Sequence, residues 1–416
     1  FTRVGDATAA PFAQTRYCAL LSETRFPVSF VQVSPRQEPC FYSTVPPQPV
    51  PPLTQTLQGY LRALEPLLPP EELNHTRRMV QEFGRPGGLG QQLQEGLERR
   101  ARLTKNWVSD LWVQWAYLES RQPLAVHSNP AISLPRRDYN DWRSQFASKL
   151  IAAVLDFRAK LPVEYMRGKP LCMELYPLLF SSSRIPGPKH DYVARYSNSR
   201  RSPTHITVVR NYQVGRAGAW LFLCANAAVC LPPVTFSCRV HSEVCPACDI
   251  ASQRMFRGGR TEYIRSPTNQ ALKFILAFDD RTREAKLELL REAVDAYSEL
   301  TAQALRGHGI DRHLLGLKLQ AIEEGLSIPK IFMDTAYGLA THWKLRTGQV
   351  PTNTDSVMCF GPLVPDGYAV CYNPQADHVH FAVTAFNCCE ETNAETMART
   401  LKETLCDLQE LLQPTV

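Results

Sequence analysis

Residues 238–249 read CRVHSEVCPACD and set Cys238, His241, Cys245 and Cys248 in the pattern C-x2-H-x3-C-x2-C. Three thiolates and an imidazole at such spacing are donors enough to close a tetrahedron around zinc, and Cys245-Pro-Ala-Cys248 is the tight half that small zinc modules use. The surroundings count against that chemistry. The run is apolar, holds no turn residues between the two pairs, and offers no second group to hold the His241 ring. The plainer expectation is that the four residues are passengers in a stretch foreign to the rest of the chain, with no metal bound.

Composition supports a compositional break there. From Ala217 to Cys238 no residue is charged, with Arg216 and Arg239 as flanks, and 215–250 holds five of the 13 cysteines. Its length would admit a membrane helix, but Asn226 and Pro232-Pro233 interrupt it, so membrane association is not expected. The whole chain has 416 residues, 44% hydrophobic and 21% charged, enough for two or three cores. The net charge of +6 is spread along the sequence rather than blocked, which argues against a nucleic-acid partner. Thirteen cysteines, an odd number at irregular spacing, fit free thiols in a reducing compartment.

The elements that must position any site come from periodicity. Leu53, Leu57, Tyr60, Leu61, Leu64 and Leu68 recur at threes and fours until Pro69-Pro70, which predicts a helix. Further helices are expected at 71–83, 90–104, 141–158, 269–278, 283–306, 311–324 and 390–412. Strands are expected at 204–213, 354–360, 367–373 and 378–386. Interleaved helices and strands imply an α/β protein with mixed sheets.

Longer runs carry a resemblance. VPPLTQTLQGYLRALEP at 50–66, GLERRARLTKNW at 96–107, LPVEYMRGKPLCM at 161–173, RIPGPKHD at 184–191 and PTHITVVRNYQ at 203–213 are similar to the choline/carnitine acyltransferase family. RMFRGGRTEYIRS at 254–266, DRHLLGLKLQAIE at 311–323, IFMDTAYGLA at 331–340, GPLVPDGYAVCYNP at 361–374 and ETNAETMA at 391–398 continue it in family order. The resemblance implies that family's fold with one of its two halves incomplete. It divides the chain into a tail at 1–45, an N-terminal family block at 46–213, a non-family cysteine-rich insert at 214–252 and a C-terminal family block at 253–416.

The family moves a short acyl group between coenzyme A and the hydroxyl of carnitine or choline, so carnitine and acyl-CoA are the implied partners and acetyl-CoA the implied co-substrate. No permanently bound cofactor is implied. Arg312 stands where the family arginine reads the carboxylate of carnitine, which choline lacks, and Thr261 where a threonine bonds the same carboxylate. Phe360, Trp112 and Tyr117 match the aromatic surroundings of the trimethylammonium group, and such faces attract a cation that cannot accept a hydrogen bond. Met358 matches the bulky residue that closes the acyl tunnel in short-chain members. Gln349 matches a coenzyme A contact. Read without the resemblance, Arg312 is a surface helix arginine, Thr261 a strand-edge hydroxyl and the aromatics plain core.

Two departures bear on turnover. The family's catalytic base is a histidine in an H-x3-E-G setting, and none of the ten histidines here is followed by an acid at the fourth position. The Ser-Thr-Ser motif, whose last serine helps bind the oxyanion, reads Arg346-Thr347-Gly348, and glycine removes that donor. The resemblance therefore implies a chain without a catalytic residue of its own. It further implies a monomer, a 204–213 strand left with an open edge, and marginal folding. The tail carries Arg3, Arg16, Arg25 and Arg36 and ends in VPPQPVPP, a composition suited to a mitochondrial presequence. Peroxisomes are the family's other compartment, although the chain ends QPTV without the peroxisomal tripeptide.

Overall fold

The computed structural model describes residues 45–119, 163–166, 169–172, 182–195, 239–240, 243–349, 358–375, 378–386 and 388–413, together with the strand backbone at 16–19. The expected helix at 141–158 and strand at 204–213 lie outside these residues, as do Cys238, His241 and most of the 354–360 strand.

Four helices open the described chain: α1 (Leu53–Leu64), α2 (Pro70–Phe83), α3 (Leu89–Leu103) and the short α4 (Ser109–Val113), which runs into a π-helical turn at Gln114–Leu118. α1 ends at Leu64, earlier than the Pro69-Pro70 stop expected, and Pro69 caps α2, which begins at Pro70. A proline at the first helical position has no amide hydrogen to leave unbonded, so Pro70 starts α2 without loss. Leu57, Tyr60 and Leu64 are the buried stripe of α1. They pack with Phe83, Leu93, Leu97 and Trp107 against Leu314, Leu317, Ile331 and Phe332. Two segments far apart in sequence thus build one helical core.

The second half holds α5 (Asn269–Leu276), α6 (Arg283–Leu305), α7 (Asp311–Glu323), α8 (Thr335–Thr341) and α9 (Ala394–Leu412). Three begin with side-chain caps, Thr268, Thr282 and Asn393, each accepting from the backbone N–H three residues on. Met397, Leu401, Leu405, Leu408 and Leu411 form the buried stripe of α9. Each such side chain contributes roughly 1.5–3 kcal/mol when removed from water.

Leu408 and Leu411 pack against α5 and α6, whereas Met397, Leu401 and Leu405 lie on a six-stranded mixed sheet made of β1 (Arg16–Ala19), β2 (Ala247–Ser252), β3 (Thr261–Arg265), β4 (Leu345–Gln349), β5 (Tyr368–Pro374) and β6 (Val379–Ala385). Its order is β1-β6-β5-β4-β2-β3. β4 pairs parallel with both β5 and β2, and the remaining pairs are antiparallel. Three short hairpins, Val163–Met166 with Lys169–Cys172, Ser182–Ile185 with Tyr192–Arg195, and Arg239–Val240 with Glu243–Val244, stand apart from it.

β2 falls within the stretch 214–252 that the sequence sets apart as an insert. Residues 247–252 form an inner strand between β4 and β3, and Cys248 has Arg346 and Arg265 as its partners on either side. Cys245 and Cys248 are buried, and burial pushes the Cys248 thiol well above its ordinary range, so it does not offer a ready thiolate. Among the described residues no group of three or more His, Cys, Asp or Glu is arranged to hold a metal ion. Of the described cysteines, Cys172, Cys248 and Cys371 are buried free thiols, whereas Cys359, Cys388 and Cys406 are exposed. No described helix is long and apolar enough to cross a membrane.

Candidate functional site

Side chains paired directly across neighbouring strands project to the same face of a sheet. One face carries Leu345, Tyr368, Val370, Phe381 and Val383 and is covered by α9. The register places Tyr263, Arg265, Cys248, Arg346, Gly348, Ala369 and Thr384 on the other. Of the residues implied by the resemblance, Arg346 and Gly348 lie on this second face, whereas Gln349 lies on the first.

Arg312, in the first turn of α7, is 3% exposed. Its guanidinium carbon lies 3.6 Å from the centre of the Trp112 ring and 4.2 Å from that of Tyr263. Nε donates to the Thr261 carbonyl at 2.9 Å and Nη2 to the Thr261 hydroxyl at 3.3 Å. The expected partners Arg312 and Thr261 are therefore adjacent. The backbone N–H of Arg312 donates to the Glu262 carboxylate at 3.2 and 3.3 Å, and that of Tyr263 donates to the same group at 2.8 Å. Glu262 is a capping acceptor for the start of α7. Burial raises its carboxyl to about 7 against the pull of Arg312. Gly309 is needed beside it, because a Cβ there would collide with the Glu262 side chain.

Trp112 does not stand free to meet a ligand cation, since the cation on its face is Arg312. It also meets Tyr117 edge-on at 6.3 Å, and the Tyr117 ring has Arg260 5.2 Å from its centre. Trp112 and Tyr263 thus act first as a clamp on the arginine, a part that sequence reading missed for Tyr263. The signal was present in TEYIR, where an aromatic sits two residues after Thr261 and so on its face.

A second arginine and aromatic pair lies on β4. The Arg346 guanidinium carbon is 4.5 Å from the centre of Phe360, whose carbonyl accepts from the Thr384 hydroxyl at 2.7 Å. Gly348 makes room for that ring: a Cβ would lie 3.1 Å from two of its carbons. Arg346 Nε is buried and has no hydrogen-bond partner. Met358 is half-buried two residues before Phe360. Thr347 faces the other way, its hydroxyl 3.4 Å from the Cys248 carbonyl. Gln349 pairs with Tyr372 and shares the helix-covered face, away from Arg346 and Gly348.

Paired with this second face is a satisfied interior. Asp249 on β2 accepts from the hydroxyls of Tyr297 at 3.1 Å and Tyr372 at 2.9 Å and from its neighbour's backbone N–H. Of the described histidines, His313 bonds the Thr56 hydroxyl at 2.7 Å inside the helical core and is driven by burial to a pKa of about 3. His342 pairs with Asp366 at 2.7 Å, and His378 meets His380 ring to ring at 4.6 Å.

The family model described as Choline/Carnitine o-acyltransferase matches residues 48–214 and 237–403. The chain belongs to this family of acyl-group transferases. It is 33% identical over 585 positions to the carnitine O-acetyltransferase of Columba livia, covering 89% of this chain and 93% of the relative. It is 32% identical over 603 positions to the human enzyme of that name, covering 93% of this chain and 96% of the relative. The choline O-acetyltransferase of Sus scrofa is 26% identical over 591 positions, covering 88% and 92%. An alignment of 603 positions cannot be filled by 416 residues, so a large part of the relative has no counterpart here. The second family match begins at 237, which places β2 inside the family and confines the unmatched stretch to 215–236.

Proposed function

We propose that this chain is a carnitine-branch acyltransferase that keeps the carboxylate-reading part of its site and lacks the proton-transferring part. The observation that carries the reading is Arg312, buried, clamped between two aromatic rings and tied to Thr261 through Nε and Nη2. A guanidinium held in this way recognises a planar carboxylate at its remaining edge. The names of the more similar relatives supply the parent reaction, a reversible transfer of acetyl between the sulfur of coenzyme A and the hydroxyl of carnitine.

That transfer requires a base to take the proton of the attacking group and donors for the tetrahedral oxyanion. No histidine has the acid neighbour the family base requires, and Gly348 brings no hydroxyl to the oxyanion. Loss of one oxyanion donor typically lowers the rate by about a hundredfold or more, and loss of the base removes the step. The chain on this reading binds a carboxylate and does not turn over.

Transfer of radiolabel from acetyl-CoA to carnitine is expected to stay at the uncatalysed background; transfer above it overturns the loss of catalysis. Calorimetric titration with carnitine is expected to give weak, saturable heat that disappears in Arg312→Gln. Heat unchanged by that substitution rejects the carboxylate site. We extend the reading to mitochondria as the compartment, on the arginine-bearing tail, and a full-length fluorescent fusion that marks peroxisomes instead decides against it.

A further inference from the structure

Two guanidinium groups gather beside one sheet face, and each rests on an aromatic ring: Arg312 on Trp112 and Tyr263, Arg346 on Phe360. Among the described residues neither guanidinium forms a salt bridge, whereas Arg265 on the same face is fully paired with Asp311. Arg346 Nε is buried without an acceptor, a state that is unfavourable for a polar group. The Phe360 face already holds a cation of the chain itself, and Gly348 lets the ring lie close to the strand. A ligand cation brought to that ring would meet a like charge; a ligand acceptor would meet an unsatisfied donor.

We propose that Arg346 selects ligand charge in this site, turning it toward a small dicarboxylate, with one carboxylate on Arg312 and the other on Arg346. This rests on the reading that Arg312 anchors a carboxylate. Arg346 fixes the charge preference of the far end, where an anion is favoured over a quaternary ammonium group.

The probe pair is carnitine and 3-hydroxyglutarate, which share the carboxylate and the hydroxyl and differ in the charge of the far end. Calorimetry on the full chain is expected to give a dissociation constant for 3-hydroxyglutarate at least about tenfold below that for carnitine, a gap of about 1.4 kcal/mol. Arg346→Gln should erase the preference, and Arg346→Lys should keep part of it, circular dichroism confirming that both variants fold. Equal affinity, a preference for carnitine, or a preference that survives Arg346→Gln overturns the proposal and leaves the Arg312 reading intact. Failure of Arg312→Gln to weaken either ligand, or no binding of either ligand to any chain, brings down the reading on which it rests, and this proposal with it.

Discussion

Arg265 and Arg346 flank Cys248 on opposite sides, project from the same face of the sheet, and have opposite fates. Arg265 makes a two-pronged bond to Asp311 at 2.7 and 3.1 Å, donates to the Ala340 carbonyl at 2.9 Å and rests on Trp343 at 4.5 Å. Arg346 has the face of Phe360 and an Nε with no acceptor. A charge that the fold satisfies completely serves the fold. Arg346 keeps an unsatisfied Nε on the same surface, the donor that the proposed dicarboxylate would meet.

The largest test of that contrast removes the satisfied partner. Asp311→Ala leaves Arg265 buried and uncompensated and is expected to cost about 3–5 kcal/mol in urea unfolding; a cost below about 1 kcal/mol would mean that the pair is not structural. Asp249→Ala strips the shared acceptor from Tyr297 and Tyr372 and is expected to cost about 3 kcal/mol, measured in the same way.

Acidification sets two buried groups against each other. His313, with a folded pKa of about 3, stays neutral while the unfolded chain takes up a proton below about 6.5, so its contribution falls as pH falls. Glu262, raised to about 7, is protonated first in the folded state, so its contribution rises as pH falls from 7 toward 4.5. The two largely cancel between pH 7 and 5. Unfolding midpoints are expected to change little there in the parent chain, whereas Glu262→Gln should lose about 2 kcal/mol over that interval and His313→Asn should gain stability. Parallel slopes in the two variants would refute this account. The smallest effect belongs to Arg346→Gln, expected to alter stability by less than about 1 kcal/mol because only a cation–π contact is lost; a loss matching that of Asp311→Ala would erase the distinction between the two arginines.

Helices were the legible part of the sequence. The stripes of α1 and α9 and the caps before α5, α6 and α9 state their spans locally, and those spans are found within a few residues. Strands β2, β3 and β4 were not expected, because ACDIAS, TEYIR and LRTGQ carry Asp249, Glu262, Arg265 and Arg346 where alternation requires apolar residues. The side chains that make the site are the ones that spoil the strand signal. The closeness of Arg312 and Thr261 was implied by resemblance; the pairing of Arg346 with Phe360 depends on register and on a loop closing over Gly348, neither of which spacing reveals.

The shared helical core bears on how such a chain comes together. Thr56 bonds His313 and Thr76 bonds Asp334, contacts between residues 257 and 258 positions apart in sequence. In a relative with a longer middle the same contacts would close a larger loop, and the entropy of closure grows only with the logarithm of loop length, about 0.6 kcal/mol per doubling. Excision between these segments therefore shortens the tether without cutting the knot that it ties. The two segments that carry these contacts are drawn together slightly more cheaply than in the longer chain, which makes the helical layer the part of the molecule best placed to survive the loss of its middle.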